Sequence, residues 1–161
     1  VRDGRHGVEG KVSDFFGIGV VNAKRETNIG TLWRSAHNFG AAFIFTVGRR
    51  YERQSSDTTK AWRSIPLFNF ETLDDLRKHV PYDTQIVGVE LDPRAIPLPA
   101  FAHPRRCVYV LGAEDHGLSP AQRAGCHSLI VVPGAAHCLN VAAAGTVVLY
   151  DRIRRHLAVA A

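Results

Sequence analysis

The sequence predicts an α/β fold, a mostly parallel six-stranded sheet flanked by helices, and three observations carry that expectation. Short runs of β-forming residues alternate with helical patterns along the whole chain, as strand–helix–strand winding requires. Helix-start and helix-stop residues stand between those runs where the alternation needs them. No internal repeat and no linker-like stretch interrupts the pattern, so the 161 residues read as a single domain with enough chain to bury a core.

In order, residues 1–14 are polar and glycine-rich and read as a flexible N-terminal arm, with the domain over 15–161. Phe15 to Asn22 (FFGIGVVN) is the first strand. Asn28 is expected to cap a helix whose apolar residues, Ile29, Leu32, Trp33, Ala36 and Phe39, follow helical spacing, with Gly40 at the C′ position. Phe43 to Val47 is the second strand. Asp57 would cap a short helix, Ile65 to Phe70 is a strand, and Thr72 caps a helix to His79. Gln85 to Glu90 is the next strand, before a connection punctuated by Pro93, Pro97, Pro99 and Pro104. Cys107 to Leu111 is a strand that ends abruptly in Gly112. Ser119, Pro120 and Gln122 spell a capping box with proline at the first helical position. Ser128 to Val132 is the sixth strand, and a helix from about Cys138 to His156 closes the chain. Val141, Ala144, Val148 and Leu157 form its apolar face, and Arg152, Arg154 and Arg155 complement the dipole at its end.

Composition narrows the function classes. Hydrophobic content of 45% and charged content of 22% are ordinary for a globular domain. The net charge of +5 favours an anionic partner, nucleic acid first. Three cysteines without C-x-x-C spacing fit a reduced, cytoplasmic setting. No apolar run approaches the roughly 18 residues of a membrane span. Gly17-Ile18-Gly19 begins a dinucleotide motif, yet Asn22 stands where its third glycine belongs, and no G-K-[ST] follows any glycine loop. Cys126-His127 and His137-Cys138 are adjacent pairs rather than ligand spacings, so no metal site is expected.

Two stretches carry chemistry. Val108 to Pro120 (VYVLGAEDHGLSP) is a strand, a glycine-bounded acidic loop and a capped helix, which together make a ligand-binding edge on an α/β sheet. Arg49, Arg50, Arg53, Lys60 and Arg63, with Tyr51 and Trp62 interleaved, form a candidate RNA-binding surface that grips phosphates and stacks unpaired bases. Taken singly, most candidate site residues have sufficient structural explanations: Asn28 as a cap, Arg34 as a surface arginine, Glu114 and His116 as loop residues. Asn140 is harder to explain away, because an asparagine buried within Leu139-Asn140-Val141-Ala142 needs hydrogen-bond partners.

Taken together, N-I-G-T-L-W-R-S-A-H-N-F-G, V-L-G-A-E-D-H-G-L-S and I-V-V-P-G-A-A-H-C-L-N-V-A-A-A resemble the three signature motifs of the SpoU (TrmH-type) RNA 2′-O-ribose methyltransferases, in that family's order. The resemblance implies a SPOUT fold with a C-terminal trefoil knot, S-adenosylmethionine as cofactor and S-adenosylhomocysteine as product. It implies a homodimer whose site is completed across the interface, and transfer RNA or ribosomal RNA as substrate. It implies catalytic roles for Asn28, Arg34, Glu114 and Asn140, and cofactor contacts from Val89, Glu90, Gly112, Glu114, Gly117, Val132, Pro133, Cys138 and Leu139. The family gives the motif-one arginine, here Arg34, the hydroxyl proton. A guanidinium stays protonated, so Arg34 is read as positioning the hydroxyl and its phosphate and relaying the proton only transiently. Cys138 and Ala142 stand where serines are common, and Asp115-His116 replaces small or basic residues. The rival readings are a non-catalytic RNA-binding module of the same fold and a base-methylating SPOUT enzyme.

Overall fold

A computed structural model describes residues 15–49, 64–134 and 138–159. In chain order it holds β1 (Phe15–Val21), α1 (Glu26–Asn38), β2 (Phe43–Val47), β3 (Leu67–Phe70), α2 (Leu73–His79), β4 (Gln85–Val89), β5 (Ile96–Pro97), β6 (Arg106–Leu111), α3 (Pro120–Ala124), β7 (Ser128–Val131) and α4 (Val141–Val159). Among the described residues the strands form one sheet, β3-β2-β1-β6-β4-β7-β5, and every pairing is parallel. The expected six strands become seven. The addition, β5, is a two-residue edge strand within the proline-punctuated connection. Proline lacks the amide that a longer ladder would need, so nothing in that stretch marks a strand.

Alternation along the strands divides the core into two faces. Ile18, Val20, Ile44, Val87, Tyr109 and Leu111 face α1 and α4, meeting Ile29, Leu32, Trp33, Val148 and Leu149. Phe43, Phe45, Ile86, Val108 and Val110 face the opposite side with Leu73 and Leu76 of α2 and with Leu118. Helices therefore cover both faces, as a parallel sheet requires. α1 and α4 touch closely. Ser35 Oγ and Thr146 Oγ1 share a hydrogen bond of 2.8 Å, and a Cβ on Gly145 would lie 2.5 Å from Leu32 Cδ1.

Several local signals act as the sequence indicates. Thr72 accepts from the Asp75 amide, Ser119 and Gln122 make the reciprocal capping box, and Gly40 follows α1 with φ +76°. Asn28 does not cap α1, which begins at Glu26 with Arg25 in the N-cap position and no side-chain cap. The last helix starts three residues later than expected, at Val141, because Asn140 caps it. Asn140 Oδ1 accepts from the amides of Ala142 (2.9 Å) and Ala143 (3.3 Å).

The basic end of α4 is also built differently from the expected dipole complement. Arg152 is buried, 1% exposed, and donates to the carbonyls of Pro104 (2.8 Å) and Arg105 (3.1 Å) and to the Tyr109 hydroxyl (3.2 Å). Its guanidinium also lies over the Phe16 ring at 4.6 Å. Arg154 and Arg155 both pair with Asp151. The arm at residues 1–14 and the helix expected from Asp57 lie outside the described residues.

Candidate active site

Parallel strands deliver their following loops to one edge of the sheet, and ligands of such folds bind at that carboxyl edge. The ends of β4, β6 and β7 open there, and the segment that leads into α4 returns to the same place. Together they enclose a cleft of about 270 Å³. Val89, Glu90, Gly112, Glu114, Gly117, Val132, Cys138 and Leu139 line it, eight of the nine residues expected around the cofactor. The ninth, Pro133, is not among the lining residues. Leu91, Leu111, Ala113, Asp115, His116, Val131, Val141 and Ala144 complete the walls.

Close backbone approach shapes the loop after β6. Gly117 has φ +63°, its amide donates to Ala113 O at 2.9 Å, and the two residues form an antiparallel bridge. A Cβ on Gly112 would lie 2.2 Å from the Gly117 carbonyl carbon, so the turn cannot close with a larger residue there. Glu90 fixes the far side of the loop, accepting the Leu118 amide at 2.5 Å and its own neighbour's, Leu91, at 2.9 Å.

Behind the cleft, three segments distant in sequence meet at one asparagine. Asn28, 7% exposed, donates from Nδ2 to Glu114 Oε1 at 2.9 Å. Its Oδ1 accepts from Asn140 Nδ2 at 3.0 Å. Both ends of one buried amide are satisfied, as burial demands. Glu114 also accepts the amides of Lys24 (3.0 Å) and Arg25 (3.3 Å), so a carboxylate from another loop occupies the mouth of α1 where a local cap is missing. Negative charge is favourable at that end of a helix. Burial alone would raise the Glu114 carboxyl. The Lys24 amide, the Asn28 side chain and the other donors outweigh it and hold the group below the ordinary glutamate range. Asn140 lies at the surface rather than buried, yet both ends of its amide are engaged.

Arg34 stands apart. It is exposed on α1 and is not among the residues lining the cleft. The structure thus unites Asn28, Glu114 and Asn140 within one chain and leaves Arg34 outside that cluster. Of the basic surface, Arg49 is described, and its Nη1 donates to the carbonyls of Ala23 (3.4 Å) and Lys24 (3.1 Å), bracing the loop before α1. Arg50, Arg53, Lys60 and Arg63, with Tyr51 and Trp62, lie outside the described residues.

The sequence reading passed over Lys24, whose ammonium pairs with Asp115 at the cleft rim. A lysine just beyond a strand carries no local signal of that kind. Among the described residues no group of three or more His, Cys, Asp or Glu side chains is placed to hold a metal. No helix there is long and apolar enough to cross a membrane.

Residues 16–150 match the SpoU rRNA Methylase family. Over 88 residues, 53% of this chain and 35% of the relative, the sequence is 32% identical to the 23S rRNA (guanosine-2′-O-)-methyltransferase RlmB of Acinetobacter baylyi. Over 155 residues, 89% of this chain and 54% of the relative, it is 28% identical to a 23S rRNA (uridine(2479)-2′-O)-methyltransferase of Streptomyces viridochromogenes. The chain spans about a third to a half of the length of these curated relatives. Among solved structures, the SpoU methyltransferase AviRb of Streptomyces viridochromogenes in complex with AdoMet superposes with a TM-score of 0.77 at 25% identity, covering 90% of this chain and 59% of that one. The A. aeolicus TrmH/SpoU tRNA modifying enzyme shares the fold, with a TM-score of 0.78 at 20% identity over 89% of this chain and 76% of that one.

Proposed function

The chain belongs to the SpoU rRNA Methylase family, and from that premise we propose that it transfers a methyl group from S-adenosylmethionine to a ribose 2′-hydroxyl of ribosomal or transfer RNA. The observation that carries this reading is the Asn28 bridge, which ties Glu114 and Asn140 together at the back of a cleft walled by the second and third motifs.

The residues present suit the cofactor. Val89, Leu111, Val131, Leu139 and Val141 give apolar walls for an adenine. The Glu90 and Glu114 carboxylates lie at the same cleft, complementary to a sulfonium cation. When bound, S-adenosylmethionine supplies an already electrophilic methyl carbon, so the protein's task is chiefly alignment. Gly112, Gly117, Val132, Pro133, Cys138 and Leu139 would hold the donor through the backbone around them. Asn28, Glu114 and Asn140 would keep the two loops in register, and Arg34 would position the ribose hydroxyl and its phosphate. Arg49, Arg50, Arg53, Lys60 and Arg63 would grip the RNA.

A homodimer belongs to the same proposal. Arg34 lies outside the cleft of its own chain, while Val147 and Tyr150 of the neighbouring helix α4 are 40% and 58% exposed. A second copy covering that face would bring Arg34 to the partner's cleft. The trefoil knot, the single domain over 15–161 and a cytoplasmic setting, consistent with three free thiols, complete the reading.

Incubation with labelled S-adenosylmethionine and total RNA tests it, with cofactor affinity measured in parallel by calorimetry. Wild type is expected to label RNA at ribose positions, resistant to alkali, and Arg34→Ala to lose about 10²-fold or more in rate with cofactor affinity retained. Cofactor binding without transfer to any RNA would favour a binding module, and label on a base would move the chain to another branch of the fold.

A further inference from the structure

Methyl transfer to a hydroxyl releases a proton, and the protein must offer an acceptor at the cleft. Among the described residues, five titratable side chains line it: Glu90, Glu114, Asp115, His116 and Cys138. Both oxygens of Glu90 and both of Glu114 already accept amide hydrogens. Asp115 is ion-paired with the Lys24 ammonium, whose hydrogen bond holds its carboxyl below the ordinary range. A carboxylate stabilised in this way is a weak base. Among the described residues, no imidazole or amine pairs with the Cys138 thiol to draw off its proton.

His116 differs from all of these. Its side chain is 82% exposed at the rim, and its Nε2 stands 2.9 Å from Asp115 Oδ2. The carboxylate favours the ring proton on Nε2 and leaves the Nδ1 lone pair open. Imidazole is the side chain suited to taking and returning a proton near neutrality. Asp115 is itself fixed by Lys24, from the loop that leads to Asn28. Among the described residues, the other carboxylates lining the cleft with His116 are Glu114 on its own loop and Glu90 just past the end of β4, the latter close enough to Gly117 that a Cβ there would meet it at 2.4 Å.

We propose that His116, oriented by Asp115, accepts the ribose hydroxyl proton during transfer, a role that rests on the function proposed above and relieves Arg34 of one that its guanidinium is unfitted for. In that step the oxygen–carbon bond forms as the sulfur–carbon bond breaks. The sulfur keeps the electron pair as a neutral thioether, and the proton passes to His116 Nδ1 and then to water.

The test compares wild type, His116→Gln and Asp115→Asn. Single-turnover transfer is followed from about pH 5.5 to about pH 8.5, cofactor affinity by calorimetry, and the ring nitrogens by NMR. His116→Gln is expected to slow transfer about 10²-fold or more, to lose the acid limb of the profile, and to bind S-adenosylmethionine as wild type does. Asp115→Asn, which leaves the imidazole in place without its orienting carboxylate, should slow transfer by a smaller factor. The His116 ring should carry its proton on Nε2 in wild type, lose that preference in Asp115→Asn, and shift when S-adenosylhomocysteine is added. A His116→Gln rate equal to that of an active wild type would overturn the proposal, as would a loss explained wholly by weaker cofactor binding or a wild-type ring protonated on Nδ1. A wild type that binds the cofactor and methylates no RNA overturns the parent reading together with this one.

Discussion

Two polar clusters sit about three turns apart along α4, and they are built from similar side chains to opposite effect. In the far cluster, His103, Tyr109, Asp151 and Arg152 form a closed chain. Burial keeps His103 below the ordinary imidazole range, against the pull of Asp151. The neutral ring can then donate from Nε2 to Asp151 (2.9 Å) and accept the Tyr109 hydroxyl at Nδ1 (2.6 Å). Tyr109 in turn accepts from Arg152. His103 and Asp151 are 3% and 7% exposed, and their ring nitrogens and carboxylate oxygens are all bonded to Tyr109, Arg154, Arg155 and one another. In the near cluster, Asn28, Glu114 and Asn140 are equally well bonded to one another, yet beside them lie a cleft, an imidazole open to solvent and an exposed thiol. Perturbed titration and dense hydrogen bonding occur in both places. What separates a site from a brace is unoccupied bonding capacity next to a cavity.

The sharpest break of this contrast is Arg152→Ala. It strips donors from two carbonyls, removes the charge over Phe16 and leaves a void, and it should cost about 3–5 kcal/mol. Urea denaturation would show this as a lower midpoint, while cofactor affinity of the folded fraction stays as in wild type. A drop in affinity would mean the far cluster is no mere brace. Asn140→Asp is milder and divides the two duties of one residue. The carboxylate still caps α4, whereas the donor to Asn28 becomes an oxygen facing an oxygen. Stability should fall by about 1–3 kcal/mol, less than the loss in cofactor affinity and transfer would suggest if those were global effects.

The smallest effect is in pH. His103 is depressed in the folded chain, so its contribution is present above about pH 6.5 and is lost as pH falls through the folded value. The lowered carboxyls of Asp151 and Glu114 act in the same direction further down, below about pH 4.5. The urea midpoint of wild type should decline between pH 6.5 and the carboxyl range more steeply than that of His103→Gln. Parallel slopes would remove His103 from the account.

Most of the frame was legible because its signals are local. Thr72, the Ser119–Gln122 box, Gly40 and the bounds of β2 each depend on neighbours within a few residues. What escaped depends on partners far along the chain. Asn28 reads as a helix cap, and only Glu114 and Asn140, 86 and 112 residues away, show that its amide bridges loops instead. Arg152 reads as a helix-end charge, although it falls four residues after Val148 on the buried stripe, a spacing that marks an arginine turned inward. Lys24 and His116 had no such hint. The motifs located the cleft through Gly112, Glu114 and Asn140, but which of the lining side chains retain free capacity emerged only from the bonds the others make.

α4 is fastened at its start by Asn140 in the bridge and past its middle by Asp151 and Arg152, with about 17 Å of helix between the two attachment points. Inserting or deleting a single residue in that span would turn everything downstream by roughly 100°, releasing one anchorage or the other. The number of residues between the two attachments is therefore as fixed a requirement as the packing of Gly145, Val148 and Leu149 within it.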